Sequence, residues 1–190
     1  MPVVSTTKMT ARQFDMLGDD LPGVRLELVD GEIAVSPNPR PEHSQADKML
    51  SYILMGHIRS HKLGLLLGDV DTVFGDYDVR HPDIIYYRAD RAHLIDPKDA
   101  LRHAPDLCVE ILSPGSRVID RKDKFEQYAG GGVEYYWIVD PEHRTIEAYK
   151  LAGGQYVPAG KGSGPETVSL PPFQELTIPL GELWLSKISN

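Results

Sequence analysis

The chain has 190 residues, 41% of them hydrophobic and 25% charged, with a formal net charge of -8, which suits one soluble domain large enough to bury a core. That balance excludes a broad basic face for coating nucleic acid, although a local cluster of carboxylates that recruits divalent cations would itself make a chain acidic. The single cysteine, Cys108, has no partner for a disulfide or a cysteine-rich zinc site and reads as a small core residue; no apolar run is long enough to span a membrane, and MPVVSTTKMTARQF lacks the basic flank and apolar block of a secretory signal, so a cytoplasmic location is expected.

Thr10 is placed to cap a short helix in MTARQFDMLGDDLPG, with Asp19-Asp20 and Pro22-Gly23 as its stop. In VRLELVDGEIAVSP two alternating runs flank Asp30-Gly31, the pattern of a hairpin with a two-residue turn. Leu26 and Leu28 share one face of the first run and Glu27 and Val29 the other, so Glu27 faces either a shared interior or water. The proline-rich SPNPRP interrupts the sheet. EHSQADKMLSYILMGHIRSHKLG then carries Ala46, Met49, Leu50, Ile53, Leu54 and His57 at helical spacing, ending near Gly64.

Short strands and turns follow in LLLGDVDTVFGDYDVRHPDIIYY, then the polar connection RADRAHLIDPKDALRHAP and a strand in DLCVEIL. RVIDRKDKFEQYAGGG reads as a helix with Phe125 and Tyr128 inward and a glycine stop at 130–132. The tail reads as a meander of VEYYWIVD, TIEAYKL and QYVP, turning at PEHR and GG, with a closing apolar segment FQELTIPLGELWL. The expectation is one domain over residues 1–190, with a core at roughly 24–158 and a tail at 159–190 packed on it. Its class is mixed α/β, a central sheet with helices packed on it.

In VRHPDIIYY, Pro82 has no amide proton and favours the start of a strand, which sets Asp83 at the strand mouth; its bland reading is a turn-making aspartate. Glu110 interrupts an apolar alternation, where a carboxylate with no function is an edge residue, hydrated or paired with arginine. If the two strands are neighbours, both carboxylates converge. With a main-chain carbonyl they would make a hard-oxygen site for magnesium or manganese, which can activate a water and stabilise charge on a phosphoryl group.

Such chemistry also wants a cation. Two residues beyond Glu110, on the same face, stands Leu112 rather than lysine. Asp120, Lys124 and Tyr128 are spaced four apart and form one stripe, so Lys124 either projects towards Glu110 or is a solvated lysine paired with Asp120.

The segments LELVDGEIAVSPNPRPEHS, HPDIIYY, DLCVEILSPGSRVIDRKDKFEQYAGGGVEYYWIVDP and IEAYKLAGGQY resemble, in order and spacing from about Leu26 to Tyr156, the Uma-two family of restriction-endonuclease-like proteins, a branch of the PD-(D/E)XK nuclease superfamily. The resemblance implies a restriction-endonuclease-like core, a central mixed β-sheet flanked by helices with extra antiparallel β-hairpins. It implies a metal-dependent endonuclease acting on DNA, with Asp83 and Glu110 matching the metal-binding acids and Mg2+ or Mn2+ as cofactor. The superfamily's usual lysine position falls on Leu112, and Lys124 on the following helix is the matching residue here. Glu27 matches an acid of the ELVDGE hairpin that would assist, and Gly115 stands where the family more often has serine.

The resulting reading gives the metal Asp83, Glu110 and the carbonyl of Ile111, and Lys124 the attacking water or the transition-state charge. His43, in PEHS, opens a helix and either caps it or contacts phosphate or metal. Arg121, with Arg117 and Lys122, forms either a phosphate-facing rim or a solvated helix face. Tyr128 and Trp137 read as core aromatics, with the Tyr128 hydroxyl available to Lys124. Two other classes share the fold: a silent DNA-binding or assembly module, and a hydrolase of a small phosphoester. A homodimer would suit double-strand cleavage by pairing two sites.

Overall fold

The structure, a computed structural model, describes residues 8–18, 24–36 and 38–185. Thr10 caps α1 (Ala11–Asp15) through a reciprocal capping box with Gln13, which satisfies two otherwise orphaned amides. The Asp19-Asp20 and Pro22-Gly23 stop signals lie outside the described residues. Asp30 and Gly31 take φ values of 49° and 79°, the paired left-handed conformation that a two-residue turn between twisted strands requires. They join β1 (Arg25–Val29) to β2 (Glu32–Ser36).

Helix α2 (Pro41–His61) starts with proline, where the missing amide is no loss, and ends at Lys62 in the left-handed conformation. Ala46, Leu50, Leu54 and Ile58 form its buried stripe, with Met49 and Ile53 packed beside it. The stripe therefore closes on Ile58 rather than His57, which is half-buried.

Four short strands follow, β3 (Gly64–Leu67), β4 (Thr72–Gly75), β5 (Asp78–Arg80) and β6 (Ile84–Arg88). Two of them complete a small sheet of order β2-β1-β5-β4, while β3 and β6 enter a larger one. That larger sheet continues through β7 (Leu107–Ile111), β8 (Tyr135–Asp140), β9 (Thr145–Ala152) and β10 (Gln155–Ser163), in the order β10-β9-β8-β7-β6-β3. It is mixed: β7 and β8 run parallel and the other pairs antiparallel.

Strand β7 is covered on both faces. Leu107, Val109 and Ile111 join α2, Trp137 and the closing segment, while Cys108 and Leu112 join Tyr128, Tyr136 and Tyr156. A strand of a mixed sheet buried on both sides accepts a continuous apolar run. Cys108 is thus a core residue, as its sequence context indicates.

The stretch expected as one helix is two, α3 (Arg117–Arg121) and α4 (Asp123–Gly130), broken at Lys122 with φ -126° and ψ -68°. The Asp120 carbonyl, which an unbroken helix would offer to the Lys124 amide, instead accepts the Tyr136 hydroxyl at 2.9 Å. The expected meander forms β8, β9 and β10. After it, β11 (Thr167–Leu170) and β12 (Phe173–Pro179) make an antiparallel pair. Leu170, Phe173, Ile178, Leu180, Leu183 and Trp184 enter the same apolar cluster as α2, and the division expected near residue 158 falls inside β10. The fold is the expected mixed α/β architecture. Among the described residues no helix is long and apolar enough to cross a membrane.

Candidate functional site

Two antiparallel neighbours, β6 and β7, set the centre of the site. Their register pairs Ile84 with Val109, which carries Asp83 to the level of Glu110, and Glu110 turns to α4. Oδ2 of Asp83 accepts the Ile111 amide at 2.7 Å, and Oδ1 lies 3.3 Å from Nε2 of His43, which α2 delivers from its first turn. Glu110 receives the Tyr128 hydroxyl on Oε1 at 2.5 Å and the Lys124 ammonium on Oε2 at 2.8 Å.

The Lys124 nitrogen also lies 3.1 Å from Oδ1 of Asp120 and 4.0 Å from Oε1 of Glu27. The contact with Asp120 is an ion pair: its Oδ1 is buried and, among the described residues, accepts no well-aligned hydrogen bond. Glu27 comes from β1, and its carboxylate takes Arg80 Nη1 and the His81 amide, each at 3.2 Å. Arg80 is held in turn by Gln127 of α4 at 2.7 Å.

Glu27, His43, Asp83, Glu110, Ile111, Asp120 and Lys124 help to line one cleft of about 60 Å³. At roughly 30 Å³ per water, it has room for about two waters or a small ion. Glu27, Glu110 and Asp120 are 5%, 3% and 1% exposed there, against Lys124 at 7% and Arg80, which pairs with Glu27 from outside the cleft lining, at 3%. Three acids thus share two desolvated cations.

The titration behaviour follows from that count. Burial pushes Glu110 well above the ordinary carboxylate value; Lys124 opposes the shift, and the Asp120 and Asp83 charges reinforce it. For Lys124 burial pulls the other way, yet Glu110, Asp120 and Glu27 together hold the ammonium above its usual value. Glu27 is held low because Lys124, Arg80 and the His81 amide overcome its burial. His43 is raised, burial being outweighed by Asp83 and more distant acids.

Every acid and the lysine expected from the sequence therefore meet here, together with Ile111 and His43. Two expectations are corrected. The Tyr128 hydroxyl goes to Glu110 rather than to Lys124, and Arg121 leaves the cleft to grip Glu147 of β9 with two bonds, at 3.0 and 2.9 Å. Arg117 is likewise engaged, by Asp140 and Glu142. Asp120 and Arg80 carry more of the site than their sequence context shows; the only signals were the spacing of four to Lys124 and a charge in a short strand. Among the described residues no three His, Cys, Asp or Glu side chains stand ready to hold a metal ion. The reason is local: the ammonium sits among three acids, and the Ile111 amide occupies one oxygen of Asp83.

A family model described as "Uma2: Putative restriction endonuclease" matches residues 11–181. A crystal structure of "a putative nuclease belonging to DUF820" from Anabaena variabilis is similar with a TM-score of 0.75 and 20% identity, covering 93% of this chain and 97% of that chain. At that identity the likeness establishes the shared fold. No curated protein matches the sequence. With most of its length inside the family match, this chain belongs to the Uma2 family of restriction-endonuclease-type proteins.

Proposed function

We propose that the chain is a single restriction-endonuclease-like domain that hydrolyses DNA phosphodiester bonds with Mg2+ or Mn2+. The observation that carries this reading is the buried excess of carboxylate at the end of β7, where Glu27, Glu110 and Asp120 form ion pairs with Lys124 and Arg80 alone among the described residues. Desolvated negative charge of this kind is relieved by a proton or by a cation. Hard oxygen donors suit magnesium and manganese, and Asp83, Glu110 and the Ile111 carbonyl are the groups that would hold the ion. When bound, such an ion supplies an activated water and offsets charge on the phosphoryl group.

The chain's own groups do the rest. Lys124, kept charged by its three acids, orients the attacking water or neutralises the transition state. Tyr128 aims Glu110, His43 steadies Asp83, and Arg80 fixes Glu27 at the cleft wall. The family description supports a nuclease, and the similar solved protein carries that word in its own description. One observation favours a small phosphoester instead: Arg117 and Arg121 are already engaged by acids, which lessens the free positive charge available to a DNA backbone.

The test is nicking of supercoiled plasmid by wild type and Glu110→Gln in Mg2+, Mn2+ and EDTA at low salt. Metal-dependent nicking that drops about 100-fold or more in the variant, about 3 kcal/mol of barrier, is expected. No nicking by wild type in either metal overturns the proposal.

A further inference from the structure

We propose that Asp120 is a positioning residue, the second seat that receives the Lys124 ammonium when Glu110 turns to a divalent cation. The inference rests on the nuclease reading above and concerns how the same site changes state. As the side chains stand, Lys124 donates to Oε2 of Glu110 at 2.8 Å. A magnesium ion at about 2.1 Å from a Glu110 oxygen would bring two positive centres onto one carboxylate. The ammonium must then give way, and a buried lysine cannot simply leave, because an unpaired charge there is costly.

A seat is ready for it. Oδ1 of Asp120 lies 3.1 Å from the same nitrogen, buried and, among the described residues, without an aligned hydrogen-bond donor, so a small movement of the lysine converts an ion-pair contact into a hydrogen bond. Buried carboxylate oxygens are rarely left unbonded, and this one faces the group that has to move. Nor can Asp120 retreat: it is 1% exposed, its carbonyl holds the Tyr136 hydroxyl, and its amide donates to the Ser116 carbonyl at 2.9 Å. The break at Lys122 places the seat on α3 and the lysine on α4. Lys124 is thereby kept beside the scissile phosphate while Glu110 is released to the cation.

The test measures Mn2+ affinity by electron paramagnetic resonance of the free ion, alongside plasmid nicking and melting temperature, for the full chain and for Asp120→Asn, Lys124→Gln and the double variant. Asp120→Asn is expected to weaken Mn2+ binding and slow nicking, each on the order of 10- to 100-fold, since the ammonium then stays on Glu110. Lys124→Gln is expected to bind Mn2+ more tightly than wild type while nicking more slowly. In that background Asp120→Asn should change Mn2+ affinity by less than about threefold, because the partner it acts through is gone.

Wild-type affinity and nicking in Asp120→Asn, with or without a lower melting temperature, would overturn the proposal, as would an equal loss of affinity in both backgrounds. Should Asp120→Asn fail to fold, weaker Mn2+ binding by Lys124→Gln than by wild type sinks the competition on its own. A wild type that neither binds Mn2+ nor nicks overturns the nuclease reading and this inference together; a wild type that does both beside an indifferent Asp120→Asn overturns this inference alone.

Discussion

The two ends of β7 each bury a carboxylate, and they treat it in opposite ways. Asp106, 2% exposed just before the strand, accepts the Arg88 amide and Arg91 Nη1, both at 2.8 Å, with Arg88 Nη2 at 3.3 Å. One acid there faces two guanidinium groups and a backbone amide. At the other end Glu110, equally buried, belongs to three acids that share Lys124 and Arg80. An acid with a surplus of donors is a clamp between loop and sheet. Acids in surplus over their cations keep binding capacity in reserve, and burial alone does not tell the two apart.

Exchanging charge for an amide at each end gives the largest contrast. Glu110→Gln is expected to lose nicking by about 100-fold or more while its melting temperature in EDTA stays level or rises, since the remaining acids and cations then balance. Asp106→Asn is expected to cost about 2 kcal/mol, held to that by the partial exposure of Arg88 and Arg91, with nicking per folded molecule unchanged. Plasmid assays and thermal melts on both variants decide the matter. A destabilised Glu110→Gln with full activity would invert the comparison.

How much of this could be read beforehand depended on which forces were local. The Asp30-Gly31 hairpin, the stripe of α2 and the alternation of β7 are written in short-range periods, and they form as read. The meeting of Asp83 with Glu110 needed only that β6 and β7 be neighbours. The break at Lys122 was hidden, because the Asp120 carbonyl is captured by the hydroxyl of Tyr136, sixteen residues beyond Asp120 in the chain. The inward turn of Glu27 was one of two readings left open by its alternation, and Arg80, arriving from another strand of the small sheet, pairs with it there. Charged side chains are the least legible class, since Arg121 and Lys124 read alike until the fold shows which acids each one meets.

A smaller effect follows from the upward shift that burial imposes on Glu110. Its value in the folded chain is raised above the ordinary 4.5 by burial first, so in EDTA the unfolded chain gives up that proton at a lower pH than the native one. The stability tied to this group is complete below 4.5 and is lost as pH rises towards the folded value. Glu110→Gln lacks the term. The melting temperature of the variant minus that of wild type should therefore widen from pH 5 to pH 8, roughly 2–4 °C for each kcal/mol in a chain of this size. A gap that narrows over this range would mean that Lys124 governs the ionisation of Glu110 and that no surplus charge exists.

The smallest change is expected where a cation is already spent. Arg121 and Glu147, 35% and 29% exposed, hold each other through two bonds between α3 and β9. An exposed pair of this kind contributes about 0–1 kcal/mol, so Arg121→Ala should shift the melting temperature by no more than about 4 °C. Nicking should not change, because the guanidinium does not line the cleft. A tenfold fall in nicking with an unmoved melting temperature would show that Arg121 leaves Glu147 for a phosphate during turnover. The rim expected from the sequence would then exist only in the complex, and the paired acids along the outer strands would be a store of cations released by the substrate.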